Sequence, residues 1–207
     1  MRMGFDKQFL EVNNKLLMEN LICELKKEFQ DIIIVTNKPE EYKKSKCRIF
    51  SDEIKEAGPL SGIHVGLKNS KSKYTYFIAC DMPNINLSYI KQMKNKIIKD
   101  KTDACVSKKE GKIEPFNSFY STKVLDKVEE LIRSNRRSML TLINNIKTLV
   151  IDEKTLGKYN KLFDMFINLN TREDLQRFEK SKVVEDKNGW LVRKKNKLFK
   201  NIRYRFM

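Results

Sequence analysis

Tyr74-Thr75-Tyr76-Phe77-Ile78-Ala79-Cys80 runs straight into Asp81-Met82-Pro83, and this passage sets the expected fold. Its first seven residues are apolar or β-prone without polar alternation, the pattern of a strand buried on both faces. Buried strands of that kind belong to parallel sheets covered by helices, so the passage predicts an α/β architecture. Asp81 leaves the strand at its carboxyl end, and in such sheets ligands bind in the crevice outside the carboxyl ends of the strands.

Working outward, the same rhythm recurs. Leu17, Leu21, Leu25 and Phe29 fall at four-residue steps within 14–29 and predict an amphipathic helix. Asp31-Ile32-Ile33-Ile34-Val35-Thr36 predicts a buried strand stopped by Asn37, Lys38 and Pro39, and a second short strand is expected at 47–51. Gly58-Pro59-Leu60-Ser61-Gly62 makes a turn into a helix reaching Leu67. Beyond the quoted strand come an expected helix at 87–100, a strand at 103–107, an extended segment at 113–121, helices at 123–134 and 138–145, and a strand at 147–151. Phe163-Asp164-Met165-Phe166-Ile167 reads as a last strand, followed by a helix with Thr171 as N-cap and Asp174 three residues on. This βαβ order would gather Asn37, Asp52 and Asp81 on one edge.

At 207 residues and 40% apolar composition the chain can bury a core without disulfides or structural metal. Cys23, Cys47, Cys80 and Cys105 form no C-x-x-C pair, so neither a zinc ribbon nor a dithiol centre is expected. No apolar run approaches the roughly 18 residues of a membrane span, and the first residues lack a signal sequence, which predicts a cytoplasmic protein. The net charge of +16 favours polyanionic partners, nucleotides included. Much of it crowds the end of the chain, where Arg193, Lys194, Lys195, Lys197 and Lys200 read as a solvated basic extension over 181–207 behind one domain over 1–180.

Transfer of a nucleotide from an NTP requires cations on the polyphosphate, a carboxylate to hold Mg²⁺ by the α-phosphate, and groups that recognise the base. Lys7 sits in a short glycine-containing loop ahead of a helix, where an ammonium and backbone N–H groups can meet phosphate; a plain surface lysine is the alternative. Asp81 would emerge at the crevice with no cation beside it in sequence, which suits a hard divalent ion, or it caps the following loop. Asp52 ends the preceding short strand in the same manner.

R-M-G-F-D-K at 2–7, the acid at 52 ahead of G-P-L-S-G-I at 58–63, A-C-D-M-P at 79–83, E-P-F-N-S-F-Y at 114–120 and N-L-N-T-R-E-D-L at 168–175 occur in the order and approximate spacing of molybdenum cofactor guanylyltransferases. Over residues 2–176 the chain resembles that family. The resemblance implies a three-layer, Rossmann-like nucleotidyltransferase fold with a mostly parallel sheet. It implies transfer of GMP from GTP to molybdopterin with Mg²⁺, yielding the guanine dinucleotide cofactor and pyrophosphate. By the same resemblance Lys7 contacts the GTP phosphates, Arg2 belongs to the nucleotide loop, Asn37 recognises guanine, Asp52 helps hold the nucleotide, and Asp81 binds Mg²⁺. Asn168 and Asn170 fall in an element near the active site. Catalysis would rest on Lys7 and Asp81, GTP and molybdopterin being the partners with molybdoenzymes downstream; nucleic acid is not the expected partner. His64 is expected to pack or lie exposed rather than to catalyse.

The family loop runs L-A-G-G-x-S-x-R-M-G-x-D-K, and only its R-M-G-F-D-K end stands here. The first strand is therefore expected to be missing, with the natural start upstream of Met1. Two rivals remain at this level: another nucleotidyltransferase acting with CTP or on a sugar phosphate, and a non-catalytic binding protein.

Overall fold

The structure, a computed structural model, describes residues 11–12, 15–54, 57–159, 165–171, 173, 174, 176, 178, 184, 185, 191 and 192. The chain divides into two compact units, residues 1–24, 80–85 and 160–207 in one and residues 25–79 and 86–159 in the other.

In the first unit, β1 (Glu11–Val12) pairs antiparallel with β2 (Lys15–Leu16), which leads into α1 (Leu17–Leu25). Leu17 and Leu21 are buried, as the four-residue stripe predicts. The helix is shorter than 14–29 because residues 26–28 form a turn, with the Phe29 N–H donating to the Leu25 carbonyl at 2.9 Å. The expected strand over 163–167 does not form in its described part: Met165 and Phe166 lie in a turn with their side chains buried. A short apolar run signals burial without fixing backbone geometry. The cap foreseen after it is present and reciprocal: the Asp174 N–H donates to Thr171 Oγ1 at 3.1 Å, and the Thr171 N–H to Asp174 Oδ2 at 2.8 Å. Also in this unit, Val184–Glu185 pairs antiparallel with Leu191–Val192.

The second unit holds the sheet. β3 (Ile33–Val35) and β4 (Arg48–Phe50) pair in parallel through a 3₁₀ turn over Pro39–Ser45. The remaining elements are α2 (Pro59–Lys68), β5 (Tyr74–Phe77), α3 (Leu87–Asp100), β6 (Ala104–Lys109), β7 (Lys112–Ser121), α4 (Leu125–Arg133), α5 (Met139–Asn144), β8 (Thr148–Ile151) and α6 (Glu153–Leu156). Four of these strands make a sheet in the order β5-β7-β6-β8. β5, β6 and β8 run one way, and only β7 is reversed. The mixed α/β fold with parallel-rich sheets is thus the one expected.

The reversal of β7 is local in origin. β6 and β7 are joined by a two-residue turn, Glu110-Gly111, with φ of 49° and 76°, closed by the pairing of Lys109 with Lys112. Positive φ at both central residues is the hairpin turn whose twist matches that of the strands. Higher up, the register jumps from Cys105 opposite Phe119 to Ser107 opposite Glu114, so two steps along β6 match five along β7. The Pro115–Ser118 bulge left over is held by Tyr120 Oη, which donates to the Pro115 carbonyl at 2.7 Å.

Helices cover both faces of this sheet. Leu60, Ile63 and Leu67 of α2, Val128 and Leu131 of α4, and Leu142 and Ile143 of α5 cluster with Ala104, Val106 and Tyr120. On the opposite face α3 buries Tyr89, Ile90, Met93 and Ile97, and Tyr89 Oη shares a 2.6 Å hydrogen bond with Ser107 Oγ. Among the described residues β3–β4 and the four-stranded sheet are separate ladders. Residues 1–10 lie outside the described residues.

Candidate functional site

Parallel pairing sets Asn37 and Asp52 at one level. Val35 lies opposite Phe50, and the ladder continues with the Thr36 N–H donating to the Phe50 carbonyl at 2.9 Å. Each of the two residues stands two positions past its strand, at the carboxyl edge where α/β sheets bind ligands. Asn37 is exposed and Asp52 half-buried. Glu53, next in sequence, is committed elsewhere: its Oε2 receives Lys68 Nζ at 2.5 Å, and that hydrogen bond holds its carboxyl below the ordinary value. Among the described residues Asp52 has no such salt bridge, so it is the acid of this pair open to a ligand.

The loop from β4 then delivers α2. Gly58 precedes the helix at φ 60°, a conformation suited to glycine, and Pro59 occupies the first helical position. The amino end of α2 is a place where backbone N–H groups can meet an anion, and among the described residues Ser61 Oγ, buried close behind, has no hydrogen-bond partner. His64 on the same helix is 3% exposed with its Nε2 at 3.2 Å from Glu129 Oε1, a packed residue rather than a catalyst.

Asp81 is placed in the other unit by different means. β5 ends at Phe77, short of the predicted Cys80, and Cys80 and Asp81 form a turn anchored by buried Met82. The Leu169 N–H donates to the Asp81 carbonyl at 2.9 Å, fastening the Asn168–Asn170 element to this turn. Two stretches nearly ninety positions apart are therefore one local structure. Arg2 and Lys7 lie outside the described residues.

Within E-P-F-N-S-F-Y at 114–120 the sequence alone assigns no residue a task. Asn117 is the missed one: it is 2% exposed at φ 57° in the β7 bulge, and its Oδ1 accepts from Tyr76 Oη on β5. Burial drives the Tyr76 phenol pKa well up, so it stays a donor. Tyr76 also stacks on Phe29 with centroids 5.5 Å apart. The signal available was an asparagine, the residue most tolerant of left-handed backbone after glycine, inside a strand-like run.

Among the described residues no three His, Cys, Asp or Glu side chains gather as a metal nest. Asp52 and Asp81 each offer the carboxylate oxygens with which a hard divalent cation such as Mg²⁺ is bound alongside phosphate oxygens.

Residues 1–148 match the family model for the MobA-like NTP transferase domain. The chain belongs to this family. Among curated relatives of this MobA-like transferase, the molybdenum cofactor guanylyltransferase of Syntrophotalea carbinolica is 41% identical over 179 residues, covering 86% of this chain and 85% of the relative. A protein of Peptoclostridium acidaminophilum named probable molybdenum cofactor guanylyltransferase is 42% identical over 193 residues, covering 91% and 87%. Among solved structures, molybdopterin-guanine dinucleotide biosynthesis protein A from Archaeoglobus fulgidus superposes with a TM-score of 0.75 at 24% identity over 86% of this chain and 91% of its own. The 2-C-methyl-D-erythritol 4-phosphate cytidylyltransferase of Thermus thermophilus follows the same fold, with a TM-score of 0.66 at 11% identity over 86% and 94%. The MobA-like transferase is thus an enzyme of the nucleotidyltransferase class. No helix among its described residues is long and apolar enough to cross a membrane.

Proposed function

We propose that the chain transfers GMP from GTP to molybdopterin in the cytoplasm. The observation that carries this reading is the 41–42% identity to molybdenum cofactor guanylyltransferases along nearly the whole chain. The molybdopterin phosphate oxygen attacks the α-phosphorus of GTP, the new P–O bond forms, and the bond to pyrophosphate breaks. No covalent enzyme intermediate is needed, so the protein contributes position and charge.

In this reading Asn37 recognises guanine and Asp52 holds the nucleotide beside it, in keeping with their shared level at the edge of β3–β4. Lys7 offsets charge on the polyphosphate, and Arg2 completes the phosphate loop. Asp81 holds Mg²⁺, which when bound stabilises negative charge on the phosphates. The Leu169 tether keeps the Asp81 turn in one conformation. Residues 1–180 form the nucleotidyltransferase domain and 181–207 a basic extension, and the product passes to molybdoenzymes.

The test is turnover of purified protein with molybdopterin and either GTP or CTP, followed by pyrophosphate release and chromatography of the dinucleotide product. GTP is expected to be preferred by about 10²-fold or more. A preference for CTP overturns the guanylyl assignment.

A further inference from the structure

We infer that the groove between α3 and Tyr159 is a second nucleotide site, which takes a nucleoside diphosphate or triphosphate. The groove encloses about 380 Å³, within the range of small-molecule sites, and none of Asn37, Asp52 and Asp81 lines it. Its ligand is independent of the reaction proposed above.

One stripe of α3 makes the polar wall. Ser88, Gln92, Asn95 and Lys99 recur at steps of three and four residues with Lys96 alongside, next to the buried stripe of Tyr89, Met93 and Ile97. The lysines of this helix differ in what already holds them. Lys91, at the rim, and Lys94 share Glu28 at 3.7 and 3.1 Å. Lys96 and Lys99 also line the groove, yet among the described residues neither has an ion pair, and Lys96 is half-buried. Two ammonium groups three positions apart, one of them partly withdrawn from water, attract an anion, and phosphate is the anion that lysine commonly holds as a point charge.

Phosphate alone does not complete the set. Gln92 Oε1 is buried, and no donor among the described residues reaches it. Buried acceptors are rarely left unserved, and an ionised phosphate has no proton to offer this one, whereas ribose hydroxyls and base amino groups do. The facing wall is aromatic. Tyr159, three residues past α6, is half-buried; its N–H donates to the Leu156 carbonyl at 2.9 Å, and its carbonyl accepts from Asn86 Nδ2 at 2.8 Å. Its ring rests on Tyr89 with centroids 5.5 Å apart. A ring held in this way is a platform for a base. Asn86 is the cap of α3, so the ring stands at the amino end of the groove, and Lys96 follows Tyr89 by seven residues, about 10 Å along the helix. Aromatic wall, buried acceptor and unpaired cations thus succeed one another in the order of base, ribose and phosphates.

ADP is the probe, since it carries a base, ribose hydroxyls and two phosphates yet differs from the GTP of the proposed reaction. Isothermal titration of the full chain with ADP should give a dissociation constant of about 10–500 µM. Lys96→Glu and Lys99→Glu should each weaken it about tenfold or more, while Asp52→Asn leaves it within about twofold. Pyrophosphate should bind about tenfold more weakly than ADP, and Gln92→Leu should weaken ADP but not pyrophosphate, about fivefold. No binding of ADP at about 1 mM overturns the inference. So does pyrophosphate binding as tightly as ADP, or ADP binding that survives both lysine variants. Loss of ADP binding in Asp52→Asn alone also overturns it, because ADP then sits at the edge of β3–β4.

Discussion

At the scale of single residues, neighbouring acids differ by what already holds them. Asp52 and Glu53 are adjacent and equally acidic in sequence, yet Lys68 engages only the second. Asp52→Asn is therefore expected to raise the KM for GTP about tenfold, while Glu53→Gln leaves it within about twofold, read from steady-state kinetics. Asp81→Asn should lower kcat by about 10²–10³-fold, read from steady-state kinetics, while the backbone bond from Leu169 to its carbonyl is kept. Gly66 is a packing residue: a Cβ there would meet Phe77 Cζ at 2.8 Å. Gly66→Ala should destabilise by about 1–3 kcal/mol in denaturant unfolding. Cys105 is fully buried, and burial pushes its thiol from 9.0 up to about 12. A raised folded pKa means that its contribution is present in full below about pH 9 and is lost as pH rises towards 12. Cys105→Ala should flatten the fall of stability across that window; the buried Tyr89 and Tyr120 phenols, raised likewise, keep part of the slope.

At the scale of elements, the hairpin turn offers a stabilising change. Glu110 occupies a φ of 49° where asparagine is at ease, so Glu110→Asn should add about 0.5 kcal/mol to unfolding stability. This turn also shows where sequence reading stopped. The α3 range was legible to the residue, because Asn86 caps it by accepting from the Tyr89 N–H at 3.0 Å and an apolar stripe runs its length. The β-branched and aromatic runs of β3 and β5 were legible from their residue types, although β5 is only half-buried throughout. Direction was not: nothing in Lys112–Ser121 taken alone says that it runs against its neighbours, since that depends on a two-residue turn with a glutamate in it. Phe163–Ile167 misled because apolar side chains entered the interior from a turn. Of the candidate residues, Asn37 and Asp52 could be found from their places just past strands, and Asp81 from an apolar run whose strand ends four positions before it. Asn117 could not, because its role depends on a bulge and on a tyrosine forty-one positions away.

For the molecule as a whole, the reversed strand has a consequence for the order of assembly. The β6–β7 hairpin closes through neighbours in the chain, whereas β5 meets β7 with Tyr74 opposite Ser121, and β6 meets β8 with Ala104 opposite Thr148. Loop closure over such separations costs entropy before any contact repays it. The hairpin is thus expected to form first, with the outer strands of its sheet condensing onto it from both sides. Pulse-labelled hydrogen exchange during refolding should protect the amides of residues 104–121 ahead of those of β5 and β8. Synchronous protection of all four strands would refute it. A strand that seems to interrupt a parallel sheet is, in time, its beginning.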